Sequence, residues 1–141
     1  MTKMISALLL LAMLTQAKIP GGSISPSFPS PDSMFLGQHV SSSRYYAKTE
    51  EETEAFRELI CALELEKAEP EAKADILYAI GLTFLYGKND SFRFDIDPSG
   101  LVWLNGEIET LYRVTNHENL YKELFELTPD ALEPHPGLPE P

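Results

Sequence analysis

Asp75-Ile-Leu-Tyr-Ala-Ile-Gly-Leu-Thr-Phe-Leu-Tyr86, Ser91-Phe-Arg-Phe-Asp-Ile-Asp97, Leu101-Val-Trp-Leu104 and Glu107-Ile-Glu-Thr-Leu-Tyr-Arg-Val114 form four successive runs in the chain. Gly87-Lys-Asn-Asp90, Pro98-Ser-Gly100 and Asn105-Gly106 separate them. The runs are rich in β-branched and aromatic residues that alternate with polar ones. Gly, Pro, Asn and Asp punctuate them, which is the signature of strands joined by tight turns.

The turns predict the register. Asp97-Pro98-Ser99-Gly100 suits a type I turn closed by a left-handed glycine, so Asp97 should face Leu101. That register puts Phe92, Phe94, Ile96, Val102 and Leu104 on one face. Asn105-Gly106 is the strongest two-residue hairpin signal, and it would pair Leu104 with Glu107 and Trp103 with Ile108. Leu101, Trp103, Ile108 and Tyr112 would then share the opposite face. Two apolar faces result. Either both are covered, or a bulge after Gly106 restores a single apolar face.

Working outward, Met34 to Val40 reads as a short strand or a packed lead-in, and Arg44 to Ala47 as a strand. Thr49 then opens a helix. Glu52 stands at capping-box spacing, and Glu50, Glu51 and Glu52 complement the dipole of the first turn. Phe56, Leu59, Ile60 and Leu63 follow as one apolar stripe, with Cys61 beside it. Glu66 to Ala74 is a charged connection broken at Pro70. Thr115 with Glu118 repeats the capping-box spacing ahead of a second helix, whose stripe is Leu120, Tyr121, Leu124 and Leu127. That helix is the natural cover for a second sheet face. The expected architecture is α+β, with an antiparallel sheet of about four to five strands and two packed helices in a single domain.

The ends differ in composition. Lys3, the apolar run Ile5 to Leu14 and the small residues around Ala17 match a secretory signal peptide over residues 1–17. The run is shorter than the ~20 apolar residues of a spanning helix. Residues 18–33 read as a Pro/Ser/Gly-rich linker, 34–128 as the domain, and 129–141 as a Pro-rich acidic tail.

Composition narrows the function. The 141 residues are 43% hydrophobic and 23% charged, which is ordinary for a folded domain. The net charge of -11 argues against nucleic acid as a partner, since phosphate contacts need clustered Lys and Arg. Cys61 is the sole cysteine, so an internal disulfide is excluded.

Few residues carry candidate chemistry. Asp95, Asp97 and Ser99 resemble the opening of a calcium loop, but Gly106 stands where the bidentate twelfth ligand belongs. His39, His117 and His135 are scattered without ligand spacing. Glu107 with Glu109, and Asp95 with Asp97, alternate on strands as a solvated face does. Asn89-Asp90-Ser91 is a glycosylation sequon at a turn. No motif for a catalytic nucleophile, phosphate loop or cofactor is present, so neither catalytic residues nor a cofactor are expected. Trp103, with Arg93 and Tyr112, is the candidate binding cluster, because Trp is enriched at binding hot spots.

The order of elements is similar to that of the small exported α+β domains, many of unknown function, found in bacteria and mainly in Gram-positive ones. The segments YYAKTEEETEAFRELICAL and ILYAIGLTFLYGKNDSFRFDIDPSGLVWLNGEIETLYRV carry this likeness, which spans Arg44 to Leu127. It is a likeness of layout and transfers no catalytic residue. The proline tail departs from it. The resemblance implies a secreted or cell-envelope protein. A non-enzymatic binding module for a protein, peptide or envelope component is the function expected. The alternatives are an inhibitor or immunity-type protein for a basic partner, or a small exported enzyme with paired carboxylates.

Overall fold

The computed structural model describes residues 23–136; the signal-peptide expectation therefore lies outside the described residues. The fold is one antiparallel sheet of seven strands with two helices, so it is α+β, with more strands than the four or five expected. The strands are β1 (Ser33–Gln38), β2 (Tyr45–Tyr46), β3 (Leu65–Lys67), β4 (Ile80–Tyr86), β5 (Asp90–Ile96), β6 (Leu101–Leu104) and β7 (Tyr112–Val114). The helices are α1 (Glu50–Cys61) and α2 (Leu120–Leu127), followed by a short 3-10 turn at Pro129–Ala131. Spatial order is β2-β1-β4-β5-β6-β7-β3. No helix of the described residues is long and apolar enough to cross a membrane.

The two hairpin turns behave differently. At Asp97–Gly100 the expected register holds. Gly100 has φ +92, Asp97 N–H donates to the Leu101 carbonyl at 2.8 Å, and Ile96 faces Val102. At Asn105-Gly106 both residues take positive φ, 52 and 76, and Glu107 N–H closes the turn on Leu104 at 3.0 Å. The strand does not resume there. Residues 107–110 make a further turn, and Val102 faces Tyr112 where an uninterrupted hairpin would put Glu109. This offset of three residues is odd, and an odd slip exchanges the faces of a strand. Tyr112 and Val114 therefore pack against the core, not beside Trp103. The insertion after Gly106 thus moves Tyr112 and Val114 to the core face, while Leu101 and Trp103 stay buried on the other face.

Two other expectations change. The strand expected from Asp75 begins only at Ile80, because residues 75–79 form a turn. Leu65–Lys67, which overlaps the start of the region read as a connection, pairs with β7 as an edge strand. Two- and three-residue edge strands such as β2 and β3 are too short to show alternation.

Both helices lie on the same face. β2 and β3 occupy opposite edges of the sheet, so α1 between them must cross it. Phe56 and Ile60 of α1 and Leu120 and Leu124 of α2 share one buried cluster with Leu82, Phe84, Phe92, Phe94 and Val102. The expectation that α2 covers the second face is thus corrected. Leu127, expected on its stripe, is 62% exposed.

The caps explain where the helices start. Thr49 caps α1 by accepting from Glu52 N–H at 3.0 Å, while Glu52 reaches back to Lys48 N–H at 2.8 Å, one residue earlier than in the usual box. The second capping box does not form. Asn119, at φ 61, precedes α2 without a side-chain cap, and Thr115 bonds instead to the Glu64 carbonyl. Asn116 donates to the Ala62 carbonyl and accepts from Glu64 N–H, securing the chain just past α1.

The segment 23–32, within the expected linker, packs on the sheet. Phe28 is fully buried and stacks on Phe92 with ring centroids 4.2 Å apart. Ile24 bridges to Leu65 through two backbone hydrogen bonds. Tyr86 donates its hydroxyl to the Pro29 carbonyl. Proline removes donors but leaves carbonyls, which side chains can satisfy. The start of the expected tail is also anchored, with Ala131 and Leu132 buried.

Candidate functional site

The outer face carries a transverse row of residues, Gly37, Gly81, Asp95 and Trp103, each the cross-strand partner of the next. Arg93 folds back along its own strand. Its Nε lies 2.9 Å from Asp95 Oδ2 and its Nη2 3.1 Å from Oδ1. Burial pushes the Asp95 carboxyl up, against the opposing pull of the Arg93 guanidinium. Trp103 is only 4% exposed, so its ring is not offered to solvent as an anchor. Of the three candidate binding residues, Trp103 and Arg93 share this face, and Tyr112 lies on the other. The structure does not bring the three together.

The calcium-like residues are occupied by other work. Asp97 is buried. Its Oδ1 accepts from Ser99 N–H at 3.0 Å, Ser99 hydroxyl at 2.7 Å and Leu101 N–H at 2.9 Å. Its Oδ2 accepts from Asp75 N–H at 2.9 Å. These are hydrogen-bond donors pointing at the oxygens, where a metal would need free lone pairs. Asp97 ties its own hairpin to the turn that precedes β4. No group of three or more His, Cys, Asp or Glu side chains among the described residues is placed to hold a metal. Cys61 packs at the edge of the core, and burial pushes its thiol up, away from thiolate reactivity.

A concavity lies elsewhere. A cleft of about 770 Å³ opens between the β5–β6 turn, β7, the start of α2 and the tail. Ile96, Val114, Leu120 and Phe125 supply apolar surface. Arg113, His117, Lys122 and His135 bring basic nitrogens, and Glu118 is the one carboxylate among the described lining residues. Three of these bases are tied to acids: Arg113 to Glu69, His117 to Glu123 at 3.0 Å, and His135 to Asp75 at 3.1 Å. Arg113 holds the Glu69 carboxyl down at about 2.

The hydroxyls in the cleft are not activated. Ser99 donates to Asp97 rather than to an imidazole. Tyr121 donates to the Tyr78 carbonyl at 2.7 Å, and burial raises its hydroxyl to about 12. Among the described residues, no hydrogen bond joins a lining base to either hydroxyl. The arrangement can hold a ligand through apolar contact and hydrogen bonds; among the described residues no nucleophile is hydrogen-bonded to a lining base.

Sequence reasoning missed most of this site. The stripe of α2 was readable, and so was the Asp-Pro-Ser-Gly turn. The meeting of Ser99, Arg113, His117 and His135 depends on the β7 register and on the tail's docking, which no local pattern encodes. No family model, curated protein or solved structure matches the chain.

Proposed function

We propose that this protein is a small exported, non-enzymatic binding module that takes its ligand in the cleft beside α2. The observation that supports this reading is the composition of the cleft. Among the described residues, apolar side chains and basic nitrogens line it, Glu118 is the one carboxylate, and the Ser99 and Tyr121 hydroxyls donate to Asp97 and to the Tyr78 carbonyl. Acid–base hydrolysis by paired carboxylates needs two such groups in one cleft. A ligand with an apolar body and an acidic or carbonyl edge suits the lining, and a protein, peptide or envelope component of that character is the partner expected. The export assignment rests on residues 1–17 and on the layout shared with small exported bacterial domains.

Backbone amide NMR of the secreted chain, titrated with a panel of short peptides and cell-wall oligosaccharides, tests the reading. Shifts should cluster at Gly100, Val114, Leu120 and Phe125, with the ligand recovered unchanged. Clustering on the outer face around Arg93, or conversion of the ligand, would overturn it.

A further inference from the structure

The tail is held by a side chain where a strand would be held by another strand. Gln38, the last residue of β1, accepts from Glu133 N–H through Oε1 at 2.7 Å. Its Nε2 donates to the Glu133 carbonyl at 3.3 Å. A primary amide carries one acceptor and two donors, so it reads the N–H and C=O of one residue as a neighbouring strand does. The Gln38 amide is itself oriented, since Nε2 also lies 3.0 Å from the Tyr78 carbonyl and 3.4 Å from the Tyr121 hydroxyl oxygen.

The flanking residues complete the fit. Leu132 is buried on one side of Glu133. On the other, His135 reaches Asp75 at 3.1 Å and stands edge-on to the Tyr78 ring, with centroids 4.9 Å apart. Pro134 and Pro136 have no N–H to satisfy and favour the extended conformation the seat requires. Yet among the described residues this segment is held through side chains rather than by a backbone ladder. The Leu132 N–H to Pro129 bond, at 3.5 Å, is the last backbone-to-backbone bond toward the tail among the described residues. Segments with few buried backbone hydrogen bonds open at low free energy.

We propose that Gln38, Tyr78, Tyr121 and Asp75 form a recognition seat for an extended, proline-containing peptide, occupied in cis by this chain's own Leu132–His135, which a partner peptide of the same kind enters by displacing the tail. The partner needs a leucine-sized side chain, then a residue with free N–H and C=O, then proline, then a hydrogen-bonding side chain that reaches Asp75. Recognition through a main-chain pair with flanking side-chain pockets is a common way to read extended peptides. The inference does not need the neighbouring cleft to hold a ligand. Because Pro134, His135 and Pro136 wall that cleft, displacement would also widen it.

An intramolecular occupant competes at an effective concentration in the ~mM range, so the seat is masked in the unmodified chain. The test uses the full chain and a fluorescent peptide of sequence Ala131–Pro136, followed by polarisation. Leu132→Ser with Glu133→Pro releases the tail without touching the seat. Serine removes the apolar anchor, and proline lacks the N–H that Gln38 accepts. Leu132 sits at φ -126, ψ 149, which tolerates a following proline. This variant should bind the peptide at least about tenfold more tightly than the unmodified chain, and adding Gln38→Ala should abolish the gain. No gain in a cooperatively folded variant overturns the proposal, and so does a gain that survives Gln38→Ala. If the double substitution unfolds the chain, Glu133→Pro alone decides: a gain lost with Gln38→Ala supports the seat, and no gain refutes it.

Discussion

The guanidinium of Arg93 lies over the backbone of Gly81. A Cβ at residue 81 would stand 2.6 Å from Arg93 Nη2 and 2.7 Å from Asp95 Oδ1. The absence of a side chain on β4 is what lets the ion pair on β5 lie flat on the sheet. Gly81→Ala should therefore cost about 1–2 kcal/mol by pushing the pair outward. Arg93→Ala should cost a similar amount near neutral pH, discounted because Arg93 is 45% exposed. The sign with pH follows from Asp95, whose carboxyl is raised by burial. Arg93 stabilises only the charged form, so the Arg93→Ala penalty should shrink as pH falls and Asp95 protonates. Chemical denaturation at several pH values checks this; a penalty independent of pH would contradict it.

Trp103 should fluoresce as a buried ring, resisting a soluble quencher such as iodide in the folded state. Trp103→Ala should cost about 3–5 kcal/mol, as expected for a large aromatic removed from a packed site. Its environment is the outer row beside Asp95, not the cluster that contains Leu120 and Leu124. Leu124→Ala should consequently destabilise the protein while leaving the emission maximum of folded Trp103 in place.

Phe28→Ala should cost about 3–5 kcal/mol, because its ring is fully buried between Phe84 and Phe92. A chain beginning at Met34 should lose at least as much and unfold at a clearly lower temperature. Equal midpoints for the full and shortened chains would show that the 23–32 segment contributes nothing.

Asp97→Asn preserves shape but places an NH2 against one of the donors that the carboxylate satisfies. A loss of about 1–3 kcal/mol is expected from the resulting unsatisfied contact. Hydrogen exchange should accelerate at Asp75 or Leu101, whose N–H groups Asp97 accepts.

The α1 cap predicts an acid limb. The Lys48 N–H and the Tyr45 hydroxyl hold the Glu52 carboxyl below its ordinary value. A carboxylate lowered in the folded state contributes stability above its unfolded pKa, and that contribution is lost as pH falls through the folded value. Glu52→Gln should flatten the fall in thermal midpoint below pH 4.5 and change little near pH 2. Thr49→Ala should cost about 1 kcal/mol at all pH values.

Local chemistry in the sequence settled the hairpin at Asp97–Gly100, the faces of β5 and β6, the Thr49 cap of α1, and most of each helix stripe, with Leu127 the exception. Each depends on residues within one turn or one strand of each other, where period and propensity act directly. The three-residue insertion after Gly106 was decided by tertiary structure. Asn105-Gly106 makes the turn it encodes, yet Tyr112 and Val114 gain burial only if the strand resumes later. The docking of Phe28 and Leu132 was decided in the same way, since a proline-rich composition shows what the backbone cannot do and not which ring fills a gap 60 residues away. Gln38 shows the limit most clearly. Nothing near it in the chain marks it, and its role exists only because β1, the turn at Tyr78, α2 and the tail meet at one point.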